Sequence, residues 1–141
     1  MMEHYISRDK EKLDVEKIHR EITATYWAGQ RSMEETLATI AHSSCFGIYD
    51  KAGEQLGFTR LVTDQVTCAY LMDVIIFAPH RGKGLGKALL GHIMGLPEIQ
   101  KLTTLALKTK DAHGLYEGFG FKRVGESALW MSIDKLNFDN T

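Results

Sequence analysis

The stretch that decides the fold is "APHRGKGLGKALL", Ala78 to Leu90, in which glycines at 82, 84 and 86 precede an apolar, helix-favouring run. Glycine lets the backbone take positive φ angles and has no Cβ to keep a ligand away. If a helix begins near Gly84, its first N–H groups have no partner within the helix, and the positive end of its dipole faces the same point. The stretch therefore predicts a cradle for a phosphate or a diphosphate at the start of a helix.

Two familiar nucleotide-binding motifs do not fit this stretch. The P-loop requires a serine or threonine after its Gly-Lys pair, whereas Gly86 and Lys87 are followed by Ala88. The dinucleotide motif G-x-G-x-x-G would begin at Gly82, but Lys87 stands at the position of its third glycine. The sequence therefore disfavours a nucleotide enzyme of either type.

The segments before the glycine stretch predict two helices, a hairpin and a buried strand. Val15, Ile18 and Ile22 recur at helical spacing, and Ser32 with Glu35 fits a capping box that starts a second helix near residue 33. The runs "CFGIYD" and "QLGFTRLVT" flank "KAGE", which is typical of an antiparallel hairpin. The almost continuously apolar run "CAYLMDVIIFA" predicts a central strand that is covered on both faces.

The segments after the stretch predict a helix, a strand, a short helix and two last strands. "LGKALLGHIMGL" has the spacing of an amphipathic helix, and "LTTLALKT" that of a buried strand. Asp111 is a candidate cap for a short helix in "AHGLYEGFG", and "FKRV" and "SALWMSI" are strand-like. This order predicts an α/β protein, a mixed sheet flanked by about four helices in a single domain over residues 1–141.

Composition limits the class of protein. The chain has 141 residues, 44% of them apolar and 25% charged, with a formal net charge of -1, which argues against a large nucleic-acid surface. It lacks both an apolar run of about 18 residues and the apolar core of a signal peptide, so we expect no membrane span and a cytoplasmic protein. Cys45 and Cys68 are expected to be reduced core residues, and the six histidines lack metal-ligand spacing, so no metal is predicted.

Two motifs in register identify a family resemblance. Arg81, Gly84 and Gly86 form R-x-x-G-x-G directly after a buried strand, and "LYEGFGFKRV", Leu115 to Val124, follows about thirty residues later. With this element order, the chain resembles the GNAT superfamily of acetyl-CoA-dependent N-acetyltransferases. The resemblance implies a mostly antiparallel, twisted sheet that is splayed at the acyl-CoA site.

The resemblance also implies which residues bind acetyl-CoA. The backbone of Val74, Ile75 and Ile76 would bind the pantetheine arm in the manner of an added strand. The residues expected to surround the pyrophosphate are Arg81, Gly82, Lys83, Gly84, Leu85, Gly86 and Lys87. Thr109 stands where many members have a coenzyme-binding asparagine. Tyr116 corresponds to the tyrosine near the thioester sulfur, where a phenol can protonate the departing thiolate.

The general base and the acceptor site are less defined by the sequence. Asp73 is the acid within "YLMDVIIF", and a carboxylate in so apolar a run is expected to be functional or paired. It could act as the general base or contact the acceptor, or it could be a structural group held by hydrogen bonds. Many family members carry a glutamate one residue earlier, where this chain has Met72. The residues expected to contact the acceptor, from the segment between the first two helices, are Tyr26, Trp27 and Arg31.

The sequence therefore predicts an N-acetyltransferase that passes an acetyl group from acetyl-CoA directly to a primary amine of a small molecule or peptide. It is expected to act as a monomer or homodimer, without nucleic-acid or membrane partners. The alternative is a non-catalytic module that binds acyl-CoA and reports its level to a partner.

Overall fold

A computed structural model of the protein describes residues 3–136. The strands within them are β1 His4–Ser7, β2 Ser44–Asp50, β3 Gln55–Thr63, β4 Cys68–Ile76 and β5 Thr104–Ala106. The helices are α1 Val15–Thr23, α2 Met33–Ala41, α3 Leu85–Met94, α4 Pro97–Gln100 and α5 His113–Glu117. Short 3-10 turns cover Lys10–Lys12 and Ala78–His80. None of these helices is long and apolar enough to cross a membrane.

The strands form one mixed sheet in the order β1-β2-β3-β4-β5. Pairs from β1 to β4 are antiparallel, and β5 is parallel to β4. The predicted fold class, a mostly antiparallel α/β sheet with flanking helices, is confirmed. β1 was not predicted: it has four residues and no clear alternation of buried and exposed side chains, so only its pairing with β2 reveals it.

Local sequence signals account for the first helices and the hairpin. Ser32 Oγ accepts the N–H of Glu35 at 3.1 Å, and Glu35 accepts the N–H of Ser32 at 2.8 Å, which confirms the capping box. Asp50 Oδ1 accepts two N–H groups of the β2–β3 turn, at 2.9 Å each, and Gly53 closes that turn at φ 92°. The predicted hairpin is confirmed.

The helices α1 and α2 cover one face of the sheet. Ile18 and Ile22, one helical turn apart on α1, pack into a core with Phe58 and Ile75 from the two central strands. On β4, the buried Leu71 and Ile75 pair with Leu61 and Phe58, which are three residues apart on β3 and so face opposite sides of the sheet. Both faces of β4 therefore carry buried residues, as predicted. α3 packs against β4, and its buried side chains are Leu85, Leu89, Leu90 and Ile93.

Several expectations for the later part of the chain were wrong. Residues 121–136 contain no strand, although "FKRV" and "SALWMSI" have strand-like composition, and Leu129 and Met131 are 90% and 94% exposed. Residue type favours a strand only where a partner strand accepts its hydrogen bonds, and within residues 3–136 this segment has none.

Cys45 is buried as expected, but Cys68 is exposed because it is the first residue of β4.

The chain divides into two compact units, residues 1–107 and 108–141. The first contains the sheet and α1 to α4. In the described part of the second, α5 begins after Ala112 without a side-chain cap, so the prediction that Asp111 caps it was wrong. Instead, the N–H of Ala112 donates to Thr109 Oγ1 at 3.1 Å. The predicted single domain stays a prediction.

Candidate active site

The glycine stretch forms an open cradle at the start of α3. Gly82 and Gly84 have φ angles of 79° and 77°, in the left-handed region that favours glycine. A Cβ placed on either would meet no protein atom within 4 Å, so space lies in front of both. The loop can therefore bring a ligand close to the backbone.

The first turn of α3 supplies hydrogen-bond donors to this space. Gly84 is the N-cap, and the first bond within the helix joins the N–H of Ala88 to the carbonyl of Gly84 at 3.1 Å. The N–H groups of residues 85 to 87 therefore have no partner inside the helix, and the positive end of the helix dipole lies with them. This arrangement suits a diphosphate.

Two side-chain hydrogen bonds connect the segment before α3 to its neighbours. Arg81 Nε donates to the carbonyl of Ile76 at 2.9 Å, which ties the loop to the end of β4. Glu21 on α1 accepts the N–H of Ala78 at 2.6 Å. Since a guanidinium group has five N–H donors, Arg81 retains donors for an anion after this contact.

β4 has an open edge next to the cradle. β5 pairs only with Cys68–Tyr70, and no strand within residues 3–136 pairs with the rest of β4 on that side. The backbone of Val74, Ile75 and Ile76 lies along this open edge, and the Ile76 carbonyl is already occupied by Arg81. β5 ends at Ala106, opposite Tyr70, so the splay of the sheet that the family resemblance implied stays a prediction.

A β-bulge interrupts β4 in front of this edge. Thr59 on β3 lies opposite both Asp73 and Val74, and Asp73 has φ 51°, which is unusual for a residue other than glycine. A bulge changes the direction of a side chain. Here the Asp73 carboxylate lies on the face that α1 and α2 cover.

The Asp73 carboxylate is buried among three donors. Arg31 Nη1 and Arg60 Nε donate to Oδ2 at 2.6 and 2.7 Å, and Trp27 Nε1 donates to Oδ1 at 3.1 Å. Burial disfavours the charged form, but the hydrogen bonds and charges of Arg31 and Arg60 outweigh it, so the pKa of Asp73 lies below its ordinary value. A carboxylate held in this way is a poor proton acceptor, and the geometry supports the hydrogen-bonded alternative for Asp73.

The expected acceptor residues are thus partly brought together. Trp27 and Arg31 meet at Asp73, and Tyr26, 41% exposed, packs its ring edge-to-face on Trp27 with centroids 5.2 Å apart. Arg60 was missed by the sequence reasoning. Its signal was an arginine inside an apolar strand, one strand away from the buried Asp73.

Tyr116 and Thr109 lie in the second unit. Tyr116 is 8% exposed on α5, and its ring packs edge-to-face on Phe121 with centroids 5.9 Å apart. Thr109 uses its hydroxyl oxygen to accept the N–H that precedes α5. Their roles toward the thioester and the coenzyme arm stay predictions.

Comparison with known proteins identifies the family. The family model of the acetyltransferase (GNAT) domain matches residues 41–123. A Xanthomonas campestris acetyltransferase of the GNAT family is 37% identical, with a TM-score of 0.85 over 94% of this chain and 95% of that one. A Gibberella zeae protein named as an acetyltransferase is 27% identical over 88% of this chain and 82% of that one.

A shorter match is found with mouse N-acetyltransferase family 8 member 3, which is 31% identical over 62% of this chain. The matched part spans only 42% of the mouse protein. The chain belongs to the GNAT acetyltransferase family, and it is an acyltransferase.

Proposed function

We propose that the protein transfers the acetyl group of acetyl-CoA directly to a primary amine of a small molecule or peptide. The observation that carries the proposal is the pairing of two open features: the N–H groups at the start of α3, and the unpaired edge of β4 that leads away from them. A diphosphate fits the first and an amide-bearing arm fits the second. Acetyl-CoA contains both groups.

The residues of the first unit would bind and orient the coenzyme. The backbone of the cradle receives the pyrophosphate, with Arg81 and Lys83 adding positive charge at its rim. Val74 to Ile76 offer backbone groups to the pantetheine amides, and a strand N–H can polarise the acetyl carbonyl. Most of the rate acceleration then comes from holding the thioester and the amine together.

Proton transfers need an acid and a base. Tyr116 would donate a proton to the departing thiolate, a role that typically contributes about 10² to 10⁴ in rate. Because Asp73 is held by two arginines, we assign the removal of the amine proton to water rather than to Asp73.

The test is a thiol-release assay with a panel of primary amines, together with calorimetric titration of acetyl-CoA. Arg81→Ala should weaken acetyl-CoA binding, while the exposed Arg20→Ala on α1 serves as the matched control. Tyr116→Phe should keep acetyl-CoA affinity but lower turnover about 10²-fold or more, with Tyr5→Phe as its control.

Three outcomes would contradict the proposal in different ways. Acetyl-CoA binding without thiol release for any amine would favour the non-catalytic sensor. Displacement of acetyl-CoA by ATP at similar concentration would indicate a different phosphate ligand. Equal turnover in Tyr116→Phe would limit Tyr116 to packing. A cytoplasmic location and a monomeric or homodimeric state stay predictions.

A further inference from the structure

Arg31, Arg60 and Asp73 form a cluster of charged side chains whose charges do not cancel. Arg31 belongs to the loop between α1 and α2, residues 24–32. Arg31 and Arg60 each donate to Asp73 Oδ2, so two guanidinium groups share one carboxylate. The side chains are 15%, 6% and 2% exposed for Arg31, Arg60 and Asp73. One positive charge is therefore in excess in a largely buried place.

Neighbouring ionisable groups do not remove this excess. Glu35 has a lowered pKa chiefly because of its hydrogen bonds with Ser32 and, to a smaller extent, because of the charge of Arg31. It lies in the exposed first turn of α2, where solvent screens its charge from the buried groups. Lys10 adds positive charge near Arg60, because both act on the same thiol. Burial raises the pKa of Cys45, and the charges of Lys10 and Arg60 both oppose that rise. The buried groups Arg31, Arg60 and Asp73 therefore keep a net positive charge.

Arg31 has unused capacity to bind an anion. Among the described residues, the hydrogen bond from Nη1 to Asp73 is the one its side chain makes. A guanidinium group carries five N–H donors in a planar fork that matches a carboxylate. A buried charge without a full set of partners is costly, so a second anion at Arg31 would be favourable.

The cluster lies where an acceptor amine must arrive. Asp73 is the residue before Val74 on β4. An acyl chain bound as proposed above, from the cradle along Ile76, Ile75 and Val74, would therefore end beside it. Arg31 and Trp27 reach the same point from the loop above. We propose that the acceptor is a primary amine that bears a carboxylate, and that Arg31 binds this carboxylate. This inference rests on the proposed function.

The experiment compares matched amines that differ only at the carboxylate. We would measure thiol release with β-alanine against β-alaninamide and with 4-aminobutyrate against 4-aminobutyramide, expressed per unprotonated amine because the amide changes the amine pKa. The wild type should prefer the carboxylates in kcat/KM by about ten- to a hundredfold. 2-Aminoethylphosphonate tests whether a phosphonate is preferred instead.

The variant Arg31→Gln should bring this preference close to one. It leaves Asp73 with Arg60 and Trp27 as donors, which keeps a balanced buried pair. Arg20→Gln removes the same charge from an exposed position on α1 and should leave the preference unchanged. Arg31→Lys keeps the charge but not the fork, and should restore only part of the preference.

A binding measurement keeps the inference separate from turnover. Titration of coenzyme A-saturated protein with 4-aminobutyrate should give binding that 4-aminobutyramide and Arg31→Gln both lose. Thiol release at equal efficiency from acids and amides would overturn the inference and leave the proposed function intact. Absence of thiol release together with Arg31-dependent binding of 4-aminobutyrate would overturn acetyl transfer but support the anion site. Preference for the phosphonate, or carboxylate binding that survives Arg31→Gln, would overturn the inference.

Discussion

At the scale of single residues, Gly47 and Tyr49 show a close approach that makes glycine necessary at position 47. The Tyr49 ring leans over Gly47 on β2, and a Cβ at position 47 would lie 2.4 Å from the Tyr49 hydroxyl oxygen. That hydroxyl has no hydrogen-bond partner within the described residues, and burial raises the pKa of Tyr49 to about 12. Gly47 is therefore required by packing, and the Tyr49 hydroxyl is buried at a cost.

We predict that Tyr49→Phe leaves the free energy of unfolding unchanged or raises it by up to about 1 kcal/mol, because it removes an unpaired buried hydroxyl. Gly47→Ala should lower it by about 1 to 3 kcal/mol, through overpacking against the ring. Urea unfolding monitored by circular dichroism measures both. A loss of more than about 1 kcal/mol in Tyr49→Phe would indicate a hydrogen bond to the hydroxyl.

At the scale of elements, the start of α3 combines strain and open space at Gly84. We predict that Gly84→Ala weakens acetyl-CoA binding, because the new Cβ occupies the cradle, and costs about 1 kcal/mol of stability because φ is positive. Gly53→Ala in the β2–β3 turn is the matched control, since Gly53 also has positive φ, at 92°. Calorimetric titration should show weaker binding in the first variant alone; equal affinity in both would exclude the backbone cradle.

The capping box of α2 allows a second test at this scale. Ser32→Ala removes the oxygen that accepts the N–H of Glu35 and should lower the free energy of unfolding by about 1 kcal/mol. Ser32→Asp keeps an acceptor at this position and should retain most of the stability. Thermal and urea unfolding of the two variants provide the measurement. Equal stability of Ser32→Ala and the wild type would mean that packing alone holds the helix end.

The elements that were predicted correctly are those whose sequence signals lie within a few consecutive residues. α1, α2 and α3 and the β2–β3 hairpin depend on spacing, caps and a glycine turn that lie within a few residues, and all were predicted. β1 depends on a partner strand that is distant in sequence, since Tyr5 pairs with Tyr49. The two last strands failed for the opposite reason: "SALWMSI" has suitable residues, but within residues 3–136 no strand pairs with it.

At the scale of the whole molecule, acidic groups with lowered pKa values determine how stability depends on pH. Asp64 has a lowered pKa because it accepts hydrogen bonds from Thr67 and from the N–H groups that follow it, and Asp73 has one because of its two arginines. A group whose pKa is lower in the folded state stabilises it fully above the unfolded value, about 3.9 for aspartate, and loses this effect as pH falls through the folded value. Stability should therefore decrease below about pH 4.

We predict that the urea midpoint of the wild type stays level between about pH 7 and 5 and falls below about pH 4. Asp73→Asn should be less stable by about 3 kcal/mol at neutral pH, because two buried guanidinium groups lose their counter-charge, and should lose less on acidification. Urea titrations across this pH range measure both effects. A parallel decline of the variant and the wild type would show that Asp73 does not contribute to the acid transition.

The sequence by itself determined the cradle and the start of α3, because left-handed glycines and free helix N–H groups are properties of a few consecutive residues. Together with "LYEGFGFKRV" and the order of the elements, the glycine stretch also identified the family. Only the tertiary structure decided which groups surround Asp73. Its partners Trp27, Arg31 and Arg60 come from a loop and a neighbouring strand, and they meet because a bulge changes the direction of one side chain. Whether a buried carboxylate acts as a base or as a counter-charge depends on groups distant in sequence, which no local pattern contains.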